Sequence, residues 1–194
     1  MKAILILRPL IFALPIFLAA CADLQPILLP SQTTNSPATT GVWPELDRIY
    51  AGNWQVPLNE GKTALEWRLR AIDSATQSID LQSFIWTLDK SGSLIHDRLI
   101  RAADRGVDVK ILIDDSFLAG ADQQVLALHE HQNIQYRVYN PYKRRSTNTV
   151  SRQVLNLSEF DRLDHRMHNK TMVVDNQVAI IGGRNLADEY FGID

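Results

Sequence analysis

From about residue 60 onward, apolar and polar positions alternate in two distinct rhythms. Ala64, Leu65, Leu69, Ile72 and Ala75 recur at helical spacing, which predicts an amphipathic helix. Ile79, Leu81 and Ile85 form a strand-like run ending at Trp86. Leu94, Ile95, Leu99, Ala102 and Ala103 mark a second helix, and Gly106 stands where it should stop. Val107, Val109, Ile111 and Ile113 alternate with Asp108, Lys110 and Leu112, the period-2 pattern of a strand. A weaker helical pattern near 121–131 leads into another alternating strand, Ile134 to Tyr139. Strands separated by helices indicate βαβ units, so the predicted class is α/β with a mixed, largely parallel sheet flanked by helices. Residues 140–165 break the rhythm. Asn140-Pro141 opens a loop, and Lys143, Arg144 and Arg145 form a basic cluster. Two short apolar runs follow, Thr171 to Val174 and Val178 to Ile181, with Asp175 and Asn176 between them as a tight strand connection. No internal repeat is evident.

The first 44 residues follow other rules. Lys2 and Arg8 precede an almost wholly apolar stretch from Leu10 to Ala20, the pattern of a secretory signal peptide and too short for a comfortable membrane span. Residues 1–20 are read as that signal. Leu18-Ala19-Ala20-Cys21 resembles the lipobox of bacterial lipoproteins, which implies cleavage before Cys21 and lipidation of its thiol. Ala22 rather than Asp follows, which by the same resemblance favours the outer membrane, facing the periplasm. Residues 21–44, with Pro26, Pro30, Pro37 and a Ser/Thr/Asn run, read as a flexible tether spanning roughly 25 Å by random-coil scaling. The domain proper is placed at 45–194.

Composition adds little beyond this. The 194 residues are 45% hydrophobic and 22% charged, ordinary for a globular chain, with a net charge of −2. Loss of Lys2 and Arg8 with the signal takes the net charge from −2 to −4, which argues against bulk attraction to nucleic acid. A single cysteine allows no intramolecular disulfide. His129-Glu130-His131 lacks a matching third ligand and reads as a solvent-facing helix rather than a metal site; no metal or other cofactor is called for.

The chemistry concentrates in one segment: His168-Asn169-Lys170, then Asp175, then Gly182-Gly183-Arg184-Asn185. As spacing this is H-x-K-x4-D-x6-G-G-x-N. On a strand, residues two apart share a face, so His168 and Lys170 could present imidazole and ammonium side by side. The glycines allow close backbone approach to a ligand, and Asn185 offers amide donors beside them. Such groups suit phosphodiester chemistry. A neutral imidazole can attack phosphorus, while lysine and amide donors stabilise charge growing on the non-bridging oxygens. The leaving alkoxide still needs a proton, and one histidine cannot easily be nucleophile and general acid in the same step. Asp114 and Asp115 end a strand where α/β sites often form, though capping the next helix explains them equally well.

With Arg166-Met167-His168-Asn169-Lys170, Gly182-Gly183-Arg184-Asn185 and Glu189-Tyr190-Phe191 assembled, and Asp114-Asp115 and Asn140-Pro141 upstream, the chain resembles the phospholipase D superfamily, most of all bacterial cardiolipin synthase-type lipoproteins. The resemblance covers about residues 45–194. It implies a phospholipase D-like sandwich and catalytic residues His168, Lys170 and Asp175. His168 would be the nucleophile or its partner acid/base, and Asp175 would brace the motif rather than react. Lys170, Gly183 and Asn185 would bind the substrate phosphate. It implies a phospholipid substrate, with a nucleic-acid phosphodiester as the alternative. Family members carry two such motifs, or one motif in a homodimer. Of His96, His129, His131, His165 and His168 only the last begins a motif, and the chain stops at Asp194. The expectation is a first half, completed by a missing C-terminal half or a homodimeric partner, and inactive if left alone.

Overall fold

The computed structural model describes residues 41–50, 54–118, 127–146 and 148–193, all within one compact unit. The signal peptide, Cys21, nearly all of the tether and most of the weak helix near 121–131 lie outside the described residues. Helix α1 (Val42–Tyr50) begins inside the segment read as tether. The reason is Trp43, which is buried in the core and stacks on Trp54 with ring centroids 6.5 Å apart. A lone tryptophan carries no periodicity for a pattern reading to detect.

Helix α2 (Gly61–Ser74) and strand β1 (Ser78–Ser83) come next, followed by helix α3 (Lys90–Asp104), strand β2 (Asp108–Asp114) and strand β3 (Ile134–Tyr139). Helices α4 (Thr149–Leu155) and α5 (Phe160–Leu163) occupy the stretch where no rhythm was legible. Strands β4 (Thr171–Val174) and β5 (Val178–Ile181) and the short helix α6 (Asp188–Phe191) complete the order. The sheet runs β3-β2-β1-β4-β5, with β1, β2 and β3 mutually parallel and β4 antiparallel to both β1 and β5. It is a mixed five-stranded α/β sheet with flanking helices.

The core forms where the apolar phases of the elements meet. Ala64, Leu65, Ala71 and Ile72 of α2 join Ile95, Leu99, Ala102 and Ala103 of α3 in one buried cluster. The alternate residues Ile79, Leu81, Val109, Ile111, Ile113, Met172 and Val174 of the sheet belong to the same cluster. Helix α3 starts sharply because the Asp89 carboxylate accepts from the Gly92 amide at 3.0 Å. Gly92 is required there: a Cβ would lie 1.7 Å from the Thr87 carbonyl oxygen. The helix ends at Gly106, whose φ of +92° disfavours other residues. Between β4 and β5, Asp175 and Asn176 both take left-handed φ values of 53°, and the Gln177 amide closes the turn on the Val174 carbonyl at 3.0 Å.

Candidate active site

Strand register decides where the motif sits. Thr171, the first residue of β4, pairs with Gln82 near the end of β1 and with Ile181 at the end of β5. His168–Lys170 and Gly182–Asn185 therefore meet at the carboxyl ends of β1 and β2. The connections diverge here, with β2 on one side of β1 and β4 on the other. That is the crevice where open α/β sheets bind ligands.

His168 and Lys170 precede β4 rather than lie on it, so they do not share a face by strand alternation. His168 is exposed, whereas Lys170 is only 7% exposed. What joins them is Phe84. The His168 ring meets the Phe84 ring edge-on at 4.8 Å, and the Lys170 ammonium stands 5.2 Å from the same centroid. Lys170 Nζ also donates to the His168 carbonyl at 3.0 Å. Desolvation holds the Lys170 ammonium below the ordinary lysine value. Lys170 lines a shallow cleft with Arg68 and Arg184. Burial, reinforced by neighbouring Arg184, lowers Arg68 to about 10. Among the described residues no carboxylate ion-pairs with any of these three cations.

Asn185 is buried, and its Oδ1 accepts from the Ile85 amide at 3.1 Å, tying the end of β5 to the end of β1. Gly182 and Gly183 are exposed, and nothing lies within 4 Å of where a Cβ would stand on either. Asp175 lies at the far end of β4. Its buried carboxylate accepts from the amides of Thr76, Gln77 and Ser78 and from the Thr76 hydroxyl, at 2.8–3.2 Å. This fastens the β4–β5 turn to the segment entering β1, well away from the imidazole.

Two buried aspartates at the end of β2 organise the approach to His168, and only their position was legible beforehand. Asp114 caps the turn after β2 through the Ser116 amide at 2.8 Å. It also accepts from the Met167 amide at 3.0 Å and from Arg166 at 3.3 Å. The capping reading of this residue is therefore realised, and its other carboxylate oxygen holds the amide next to His168. Arg166 lies 4.8 Å from the Tyr142 ring centroid. Asp115 accepts from the Tyr142 amide, Arg145 and Arg152 at 2.8–3.1 Å. Phe84 was missed altogether, because it lies just past the end of β1, where strand alternation gives no signal. His131 pairs with Asp104 at 3.2 Å, and His129 is exposed. Among the described residues no group of three His, Cys, Asp or Glu side chains is placed to hold a metal.

An α/β sheet with a His-x-Lys pair, a desolvated ammonium and an open glycine pair at its strand ends carries groups suited to phosphodiester chemistry. Residues 69–193 match the family model described as cardiolipin synthase, phospholipase D-like domain, and the chain belongs to that family. It is 39% identical over 136 residues to cardiolipin synthase C of Escherichia coli, a match covering 70% of this chain and 28% of that protein. An uncharacterized protein of Helicobacter pylori is 41% identical over 137 residues, covering 71% of this chain and 27% of that one. The chain thus spans little more than a quarter of the length of these relatives. Among solved structures, NucT from Helicobacter pylori superposes with a TM-score of 0.50 at 17% identity, covering 71% of this chain and 76% of NucT, a likeness of fold.

Proposed function

We propose that this chain contributes one half of a phospholipase D-type active site acting on phospholipid at a bacterial envelope membrane. The single observation that carries the reading is the shared seating of His168 and Lys170 on Phe84, beside the open Gly182-Gly183 backbone. The exposed imidazole attacks phosphorus. A P–N bond forms, the P–O bond to the departing alcohol breaks, and a second group protonates the alkoxide. That group then deprotonates water or an acceptor alcohol, whose oxygen displaces His168 Nε2 or Nδ1 from phosphorus. The Lys170 ammonium, the Asn185 carboxamide and the Gly183 amide face the non-bridging oxygens. Asp175 acts through the fold, bracing β4. The second acid/base belongs to another motif, from a second copy or from further sequence of the kind its longer relatives carry.

The phospholipid assignment rests on the likeness to cardiolipin synthases and on the lipobox at Cys21. Lipidation at Cys21 and attachment to the outer membrane belong to the same proposal. Among the described residues no helix is long and apolar enough to cross a membrane. The test is turnover of phosphatidylglycerol against DNA by the wild type and His168→Ala. Phospholipid turnover lost in the variant supports the reading. DNA cleavage without phospholipid turnover assigns the domain to nucleic acid, and absence of both under dimer-forming conditions marks an inactive chain. Cys21→Ala is expected to abolish palmitate incorporation; unchanged labelling would remove the anchor.

A further inference from the structure

Helix α2 carries a charge where its pattern calls for an apolar residue. Its buried positions are Ala64, Leu65, Arg68, Ala71 and Ile72, a stripe at helical spacing. Arg68 stands in the middle of that stripe and is only 6% exposed. Its Nη1 donates to the Ala64 carbonyl at 2.7 Å, and the guanidinium lies 5.5 Å from the Phe191 ring centroid. Neither neighbour carries a charge. Among the described residues Nε and Nη2 have no hydrogen-bond partner, and no carboxylate pairs with the guanidinium. Burial and the nearby Arg184 both act against its protonated form. A buried cation without a counter-charge is costly, and an apolar side chain of similar size would remove that cost. Packing of α2 therefore does not account for the charge.

The surroundings of Arg68 do. It lines the cleft beside the motif together with Lys170, Arg184, Gln82, Ser83 and Thr171, and no acid lines that cleft. Arg184 donates to the Tyr190 carbonyl at 2.9 Å and to the Asn59 carbonyl at 2.6 Å, which fixes its guanidinium without neutralising it. Lys170 likewise donates to a neutral partner, the His168 carbonyl. Three cations thus converge from α2, from just before β4 and from just after β5. Like charges gathered in a partly desolvated cleft repel one another, and a bound anion relieves the repulsion.

We propose that Arg68, with Lys170 and Arg184, forms a subsite for phosphate oxygens adjoining His168. Nε and Nη2 of Arg68 share one edge of the guanidinium, the edge that makes paired bonds to an oxyanion. The inference deepens the proposed phosphodiester reading and rests on it for its purpose: the cleft holds the phosphate of a phospholipid head group beside Lys170. Free phosphate offers the same chemistry.

The test titrates the full chain, in detergent, with inorganic phosphate by calorimetry. Arg68→Met is compared with Arg70→Met, which removes an equal charge from the exposed side of the same helix, where Arg70 pairs with Glu66. Saturable binding is expected for the wild type and for Arg70→Met, and binding about tenfold weaker or worse for Arg68→Met. Without phosphate, Arg68→Met should melt no lower than the wild type. Phosphate binding unchanged in Arg68→Met, with a lowered Tm, marks a structural arginine and overturns the inference. So does a wild type that binds no phosphate saturably. Arg68→Gln repeats the comparison should Arg68→Met not fold. Short-chain phosphatidylglycerol separates the two sources. Displacement of phosphate by the lipid assigns the cleft to the head group, whereas binding indifferent to the lipid assigns it to free phosphate, and either result upholds the subsite. With the lipid as substrate, Arg68→Met should raise KM about tenfold and change kcat less. Phosphate binding that depends on Arg68, with no turnover on any substrate, removes the proposed activity and leaves the subsite standing.

Discussion

Around the motif, His168 and Gly182-Gly183 are open while Lys170 and Asn185 are buried, and buried carboxylates hold the segments that carry them. In the 140–165 lobe Arg152 and Asn156 are buried, while Val150, Val154, Leu157 and Phe160 are exposed. Both regions depend on the two aspartates at the end of β2, Asp114 holding the Met167 amide and Asp115 holding Arg145 and Arg152. The end of the sheet where β1 and β2 finish thus carries both the motif, whose chemistry is written in spacing, and a lobe tied down by buried charge. Helix α4 is not found by looking for apolar periodicity, because Arg152, which it buries, is charged and Val150 and Val154 are exposed.

The comparison breaks most severely at His168. The side chain is exposed and supports no part of the core, so His168→Ala should leave circular dichroism unchanged. Phosphodiester turnover by the active assembly is expected to fall by about a thousandfold or more. Retained turnover would move the nucleophile elsewhere.

The lobe should fail through stability rather than chemistry. Arg152→Met removes a fully buried partner of Asp115 and is expected to cost about 3–5 kcal/mol in urea unfolding, with early loss of amide protection over 140–165. Little change in either measurement would show that the lobe is held by something other than this pair. A smaller effect is expected at Asp175→Asn, which keeps one acceptor but sets amide hydrogens against the donors of Thr76, Gln77 and Ser78. A loss of about 1–3 kcal/mol in the same assay is expected, with the turnover of the remaining folded protein near normal. A large drop in kcat without destabilisation would instead place Asp175 in the chemistry.

The smallest effect is acid sensitivity at the start of α3. Burial raises the Asp89 carboxyl, but donated hydrogen bonds from the Asp188 and Gly92 amides and the Thr87 and Ser91 hydroxyls outweigh it, so the net shift is downward. A carboxylate depressed in the folded state adds stability that is present above its unfolded value, about 4. That stability is lost as pH falls through the folded value. Asp89→Asn should therefore lower stability at pH 7 and flatten the decline below about pH 4, by a fraction of the whole because solvent screens the group. An unchanged acid profile would remove Asp89 from the balance.

Much of this molecule was legible in its sequence, unevenly. α2, α3, β2, β3 and the β4–β5 hairpin follow from periodicity and from Gly106, Asp175 and Asn176. The H-x-K spacing picked out two residues that meet on Phe84, with Gly182, Gly183 and Asn185 at the same strand ends, while Asp175 lies at the far end of β4. The expected strand alternation of His168 and Lys170 did not hold, because both precede β4 and are joined through Phe84. Aromatic side chains reach across an element boundary that spacing rules cannot follow. The roles of Asp114 and Asp115 were hidden because their partners, Met167 and Arg152, lie 53 and 37 residues away.

Trapping the intermediate tests the His168 assignment most directly. The chain, in its active assembly, is mixed with phosphatidylglycerol and quenched in base, since phosphoramidate bonds hydrolyse in acid, and then digested and mapped by mass spectrometry. Expected is a phosphatidyl adduct on the peptide containing His168, absent from His168→Ala. Multiple turnovers with no adduct on any histidine, or an adduct on a histidine other than His168, would contradict the covalent mechanism drawn from this site.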